Sequence, residues 1–186
     1  KSVFGDLILN KQGEVFVSDG VSNTILKVNE TTGQLDSFFK SEEFWNIQGI
    51  TFSDDEKYLF ISDYIKGPFR LEIATKKLIM LELETPQSLK GVDGMLFYKN
   101  SLIAIQNGVS PLRVSRYYLN QEQNKIIDCK IIDRAHPAFG EPTIGSLNGS
   151  TFYFVANSLW GAYDKEFNLK TDLIRDVVIL KASLSK

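Results

Sequence analysis

A six-residue phrase ending in Asp or Asn is written four times along this chain. It reads EVFVSD at Glu14–Asp19, YLFISD at Tyr58–Asp63, LIAIQN at Leu102–Asn107 and FYFVAN at Phe152–Asn157. The closing positions 19, 63, 107 and 157 lie 44, 44 and 50 residues apart. A strand-like run precedes each phrase, at Asp6–Leu9, Gly49–Phe52, Gly94–Phe97 and Pro142–Gly145. Another follows, at Thr24–Val28, Phe69–Ile73, Leu112–Arg116 and Val178–Lys181. A fourth run fits only three units, at Gln34–Phe39, Lys77–Glu82 and Lys125–Ile131. Turn chemistry separates these runs, and no long segment has an apolar period of 3.6.

Four strands in 40–50 residues is the period of a propeller blade. Runs such as Leu59-Phe60-Ile61 lack polar alternation, as expected where a blade is covered on both faces. The reading is an all-β propeller and a single domain, with blades near 4–40, 46–84, 90–133 and 140–186. The last unit contains an insertion over Trp160–Asp176 and ends after its third strand. A three-stranded unit leaves a free edge, which propellers commonly cover with the other end of the chain. The expectation is a ring of six blades, with an N-terminal remainder as the partner that completes it.

Composition narrows the partners. The 186 residues hold 21 Lys and Arg against 23 Asp and Glu. There is no basic excess to neutralise phosphates, which argues against nucleic acid. No apolar run is long enough for a membrane span. The single Cys, Cys129, cannot close an internal disulfide, and its strand-like flanks suit a buried, inert thiol. No signal peptide opens the chain, because Lys1–Phe4 runs straight into a strand pattern. Compartment stays open between secreted or periplasmic and cytoplasmic. No Gly-rich phosphate loop follows a strand and opens a helix.

The segments Val92–Met95 (VDGM) and Asn10–Asp19 (NKQGEVFVSD) resemble the gluconolactonase, senescence marker protein and luciferin-regenerating enzyme family. Strictosidine-synthase-like propellers are a related possibility. The resemblance covers most of the chain as blade rhythm and is specific at few positions. It implies six blades, one divalent cation in the central channel (calcium foremost) and hydrolysis of a small lactone or ester. Asp93 matches the family's metal-binding, catalytic carboxylate. Gln48 stands where the family has a metal-binding Asn. Asp6 matches the Asp of a substrate-pocket Asn-Asp pair, whose Asn is Gly5 here. The family's Glu ligand comes from a first blade outside this sequence.

Inner-strand starts converge on the axis of a propeller, so Gln48 and Asp93 should face one another. Glu141 and Thr143 open the last inner run and are candidates for substrate contact. Asn107, followed by Gly108, is a candidate to line a channel end, and Arg113 a candidate to reach an anionic ligand, with surface pairing as its alternative; both count as substrate-binding candidates. Recurrence of Asp19, Asp63, Asn107 and Asn157 in every unit points to turn-capping. Trp45 and Trp160 read as packing aromatics, and His136 as a loop residue without a sequence-near partner. Ser53–Lys57 reads as an acidic hairpin turn. The alternative to a hydrolase is a non-catalytic propeller that binds a protein or small ligand through its top face.

Overall fold

The computed structural model describes residues 2–83 and 87–185. Residues 84 and 186, the ends of the expected second and fourth units, lie outside the described residues. The strands form four separate antiparallel meanders. The first joins β1 (Phe4–Leu9), β2 (Val15–Asp19), β3 (Thr24–Val28) and β4 (Leu35–Lys40). The second joins β5 (Ile47–Phe52), β6 (Tyr58–Asp63), β7 (Gly67–Glu72) and β8 (Leu78–Met80). The third joins β9 (Val92–Phe97), β10 (Ser101–Gln106), β11 (Arg113–Leu119) and β12 (Ile126–Arg134). The fourth holds β13 (Gly145–Asn148), β14 (Thr151–Val155) and β15 (Ile179–Ser183). The chain is thus an all-β propeller of four blades, the fourth three-stranded. No helix among the described residues is long and apolar enough to cross a membrane.

Two expected runs are shifted. The inner strand of the fourth blade begins at Gly145, where the expected Pro142–Gly145 run ends. Pro142 has no N–H for a ladder, and Glu141 before it has φ of 67°, so this approach is irregular. The strand expected over Lys77–Glu82 is only three residues long.

The missing alternation has a direct cause. Successive side chains of a strand point to opposite faces. Leu59 and Ile61 pack toward the first blade, in a cluster with Phe16, Ile25, Ile50 and Phe69. Phe60, between them, joins the next cluster with Val92, Met95, Leu102, Ala104 and Tyr117. Ile103 and Ile105 then face the fourth blade with Phe152 and Phe154. Each Val, Leu, Ile, Phe or Met side chain fully buried in this way is worth roughly 1.5–3 kcal/mol. Two arginines latch neighbouring blades. Arg70 lies over Tyr58 and donates to the Glu122 carbonyl at 2.7 Å. Arg116 lies against Tyr98 and Tyr118 and donates to the Leu184 carbonyl at 2.9 Å.

The inner strands crowd the axis. A Cβ on Gly49 would sit 2.5 Å from the Asp93 carbonyl oxygen and 2.6 Å from the Met95 nitrogen. One on Gly94 would collide with the Thr143 carbonyl in the same way. Glycine is required at both positions because backbone meets backbone there. The blades pack in chain order, first on second, second on third, third on fourth. Among the described residues, no strand of the first blade packs substantially on a strand of the fourth. The outer faces of these two blades carry exposed Leu7 and Leu9 on one side and Tyr153 and Ile179 on the other.

Candidate functional site

The crowding that demands Gly49 and Gly94 brings the residues just before them to one end of the axis. Gln48 and Asp93 line a cleft of about 420 Å³ there. Asn107, Glu141 and Thr143 line it too, with Asn46, Tyr64, Val3, Phe4, Ile144 and Trp160. All four blades contribute, so residues about 45 apart in sequence meet.

Asp93 ends a short hydrogen-bond chain. Tyr64 Oη donates to Asn107 Oδ1 at 2.8 Å, and Asn107 Nδ2 donates to Asp93 Oδ2 at 2.7 Å. Burial pushes the Asp93 carboxyl above the usual carboxylate range, and the Asn107 bond pulls it partly back. Glu141 is also pushed up, first by burial and then by the Asp93 charge. The Tyr64 phenol is raised by burial, with smaller contributions from Asp93 and Glu141. These shifts connect Asp93, Glu141 and Tyr64 electrostatically, and, well behind burial, the Asp93 charge is also the smallest contribution to the raised carboxyl of Asp6 in the first blade.

Asn107 is free for this role because other residues close its turn. In the second blade, Asp63 Oδ2 accepts the Trp45 and Asn46 amides at 2.6 and 3.0 Å. Its Oδ1 accepts the Ile65 and Lys66 amides at 3.0 and 2.9 Å. Asp19 gathers the Val3, Val21 and Ser22 amides in like manner. Asn157 closes the fourth blade, donating to the Asp176 carbonyl and accepting the Val178 amide. In the third blade, Gln106 does this work instead. Its Nε2 donates to the Ser88 and Lys90 carbonyls at 3.0 and 2.8 Å. Its Oε1 accepts Arg113 Nε at 2.7 Å and Ser115 Oγ at 2.8 Å. Asn107, relieved of capping, turns into the cleft.

Arg113 therefore supports Gln106 and donates to the Ser88 carbonyl, and it does not line the cleft. Asp6 lies elsewhere as well. It borders a smaller cavity of about 110 Å³ with Leu7, Ile50, Met95 and Phe152. Its Oδ2 accepts the Ile50 amide at 3.1 Å, and burial pushes its carboxyl up to about 6. The close approaches explain the difference. Gly5, not Asp6, occupies the crowded position, because a Cβ on Gly5 would meet Gln48 Oε1 at 2.7 Å. Asp6 is one residue later and points to the other side of its strand.

Both tryptophans depart from the packing expectation. Trp45 is 63% exposed, with Lys66 Nζ 5.1 Å from its ring centre. Trp160 is 58% exposed at the edge of the cleft, on a short 3-10 turn at Trp160–Ala162 inside the insertion. Tyr64 joins the Asp93 group although it is not among the candidates named from the sequence. Its signal was available, since it directly follows the closing Asp63 and so emerges at the same end as the inner-strand starts. His136 behaves as a loop residue, its Nδ1 accepting the Ala138 amide at 3.1 Å. Cys129 is half-buried, and burial pushes its thiol up to about 11.

The donor set does not match a resident divalent cation. Such an ion takes six to eight oxygens as calcium, or a strict octahedron as magnesium. Asp93 Oδ2 is occupied by Asn107, which presents its NH2 and not its oxygen. Gln48 donates to Asn46 Oδ1 at 2.7 Å, leaving only Oε1. Among the described residues, no group of three or more His, Cys, Asp or Glu side chains is placed to hold a metal ion.

No family model matches the chain, and no curated protein matches it significantly. Solved structures do. A nidogen–laminin complex aligns over 83% of this chain and 57% of the other, with a TM-score of 0.68 and 12% identity. A luciferin-regenerating enzyme aligns over 98% and 61%, with a TM-score of 0.64 and 11% identity. A catalytically inactive virginiamycin B lyase from Staphylococcus aureus, with quinupristin, aligns over 98% and 56%, with a TM-score of 0.61 and 12% identity. The chain spans less than two thirds of each of these structures. At such identities the likeness establishes the propeller fold alone.

Proposed function

We propose that this chain contributes the ligand-binding face of a propeller that captures a small organic molecule at the mouth of its channel. The observation that carries this reading is the Tyr64–Asn107–Asp93 chain inside a cleft built from all four blades. The third blade diverts Gln106 to turn closure, and that diversion leaves Asn107 facing the cleft. Asp93 and Glu141 supply charge; Gln48, Asn46, Asn107 and Thr143 supply hydrogen bonds; Trp160 and Phe4 supply apolar area. A volume of about 420 Å³ lies within the usual range for small-molecule pockets. Neighbours of the same fold include named enzymes as well as the nidogen–laminin complex, so the fold itself is neutral between catalysis and binding.

The ring is proposed to reach six blades, with two more blades packing on the open faces of the first and fourth. What supports this is the exposed apolar side chains on those faces, Leu7 and Leu9 on β1 and Ile179 on β15.

A second reading is metal-dependent hydrolysis of a lactone or ester. It is favoured by one observation, that Asp93 stands at the axial mouth where the resemblance puts a metal-binding carboxylate. Thermal unfolding separates the two. The ligand-binding reading expects no rise in Tm with calcium or magnesium, and a rise with a small-molecule ligand that is abolished in Asn107→Ala. A calcium-dependent rise that disappears in Asp93→Ala, together with ester turnover, would establish the hydrolase instead.

A further inference from the structure

Among the twelve residues that line the mouth cleft, only Asp93 and Glu141 carry charge, and no Lys or Arg is present. The ion pairs of the described residues, Lys27–Glu14, Lys57–Asp55 and Lys66–Glu43, all lie elsewhere. Two arginines of the third and fourth units are held by other partners. Arg113 serves Gln106, and Arg175 donates to the Asp172 and Ile174 carbonyls. Two carboxylates therefore share this space, with no cationic side chain among the described residues that line it. An anionic ligand would meet like charge on entering.

Resting on the small-molecule reading above, we propose that the cleft takes a small organic ammonium ion, its amine at Asp93 and Glu141 and its apolar part against Trp160 and Phe4. The chemistry of the lining favours such a cation over a metal. An ammonium group donates three hydrogen bonds and is satisfied by two carboxylates and an amide oxygen, such as Gln48 Oε1. It also gains from an aromatic ring beside it, and Tyr64 belongs to the same lining. A hard divalent cation gains little from rings and needs more oxygens than this cleft directs inward. Trp160, more than half exposed at the rim, has a large apolar surface that a ligand's hydrocarbon part would cover.

Three probes of like shape test this with the full chain: phenethylammonium, 2-phenylethanol and 3-phenylpropionate, titrated by calorimetry and by tryptophan fluorescence at low salt. The ammonium is expected to bind about tenfold more tightly than the alcohol, with the carboxylate weakest. That preference should shrink to about threefold or less in the isosteric pair Asp93→Asn and Glu141→Gln, with alcohol binding retained. Equal affinity for ammonium and alcohol, lost in Trp160→Ala, overturns the ammonium assignment and leaves the small-molecule reading standing. Failure of all three probes to bind overturns both.

Discussion

Asp63 and Asn107 occupy the same place in successive blades and do opposite things. Asp63 is fully buried and accepts four backbone amides. Asn107 accepts a phenol, donates to a carboxylate and lines an open cleft. One residue upstream the exchange is completed, because Ser62 precedes Asp63 while Gln106 precedes Asn107. A repeat can release a position for ligand contact only when a neighbour takes over its structural duty. Here a longer side chain with two donors and two acceptors has done so.

The contrast is broken most directly at Asp63. Asp63→Ala leaves four amide donors without their acceptor and is expected to cost about 3 kcal/mol or more, read as a lowered urea midpoint. Gln106→Ala should follow at about 2 kcal/mol, since it removes the side-chain donor of the Lys90 carbonyl and the oxygen that Arg113 Nε and Ser115 Oγ share, while Ser88 keeps its bond from Arg113. Asn107→Ala should cost about 1 kcal/mol or less while weakening ligand binding. It also removes the donor that lowers Asp93, whose carboxyl should then titrate at still higher pH, visible by NMR. A stability loss at Asn107 equal to that at Asp63 would show that the third blade had kept the common turn design.

Two acids of the first blade sharpen the same point through pH. Burial opposes ionisation of Asp19, but bonds from Ser22, Val3 and Val21 outweigh it and hold the carboxyl at about 2. Its stabilising contribution is complete above the unfolded value near 4 and fades as pH falls through 2. Asp6 has the reverse sign. Its raised carboxyl, at about 6, favours the protonated fold, so stability declines as pH climbs from about 4 to 6. Asp6→Asn keeps an oxygen for the Ile50 amide and should flatten that decline, raising Tm at pH 7.5 but not at pH 4. A parallel pH dependence in wild type and Asp6→Asn would refute the assignment. The smallest effect is expected at Cys129, whose raised thiol should react with iodoacetamide more slowly than a free cysteine at pH 8.

Much of the fold was legible because a blade is a local object. Its strands are neighbours in sequence, its turns carry Asp, Asn and Gly, and its central runs are apolar on both faces. The strand expected over Pro142–Gly145 starts late for a local reason too, since Pro142 and the positive φ at Glu141 delay it to Gly145. The grouping of Gln48, Asp93, Asn107, Glu141 and Thr143 around one cleft followed from the radial arrangement. The position of Asp6 did not follow, because a shift of one residue along a strand moves a side chain to the other face. Trp160 was hidden in an insertion with no counterpart in the other blades.

The amino-acid sequence by itself determined the blade repeat and the two-faced character of its central strands, since both are set by spacing and polarity within some 45 residues. Tertiary structure alone decided that Asn107 would face Asp93, that Tyr64 would join them and that Asp6 would not. Those outcomes depend on how closely backbones approach at Gly49 and Gly94, and on which neighbour satisfies each buried amide. Such distances arise only when separate blades are pressed together about a shared axis.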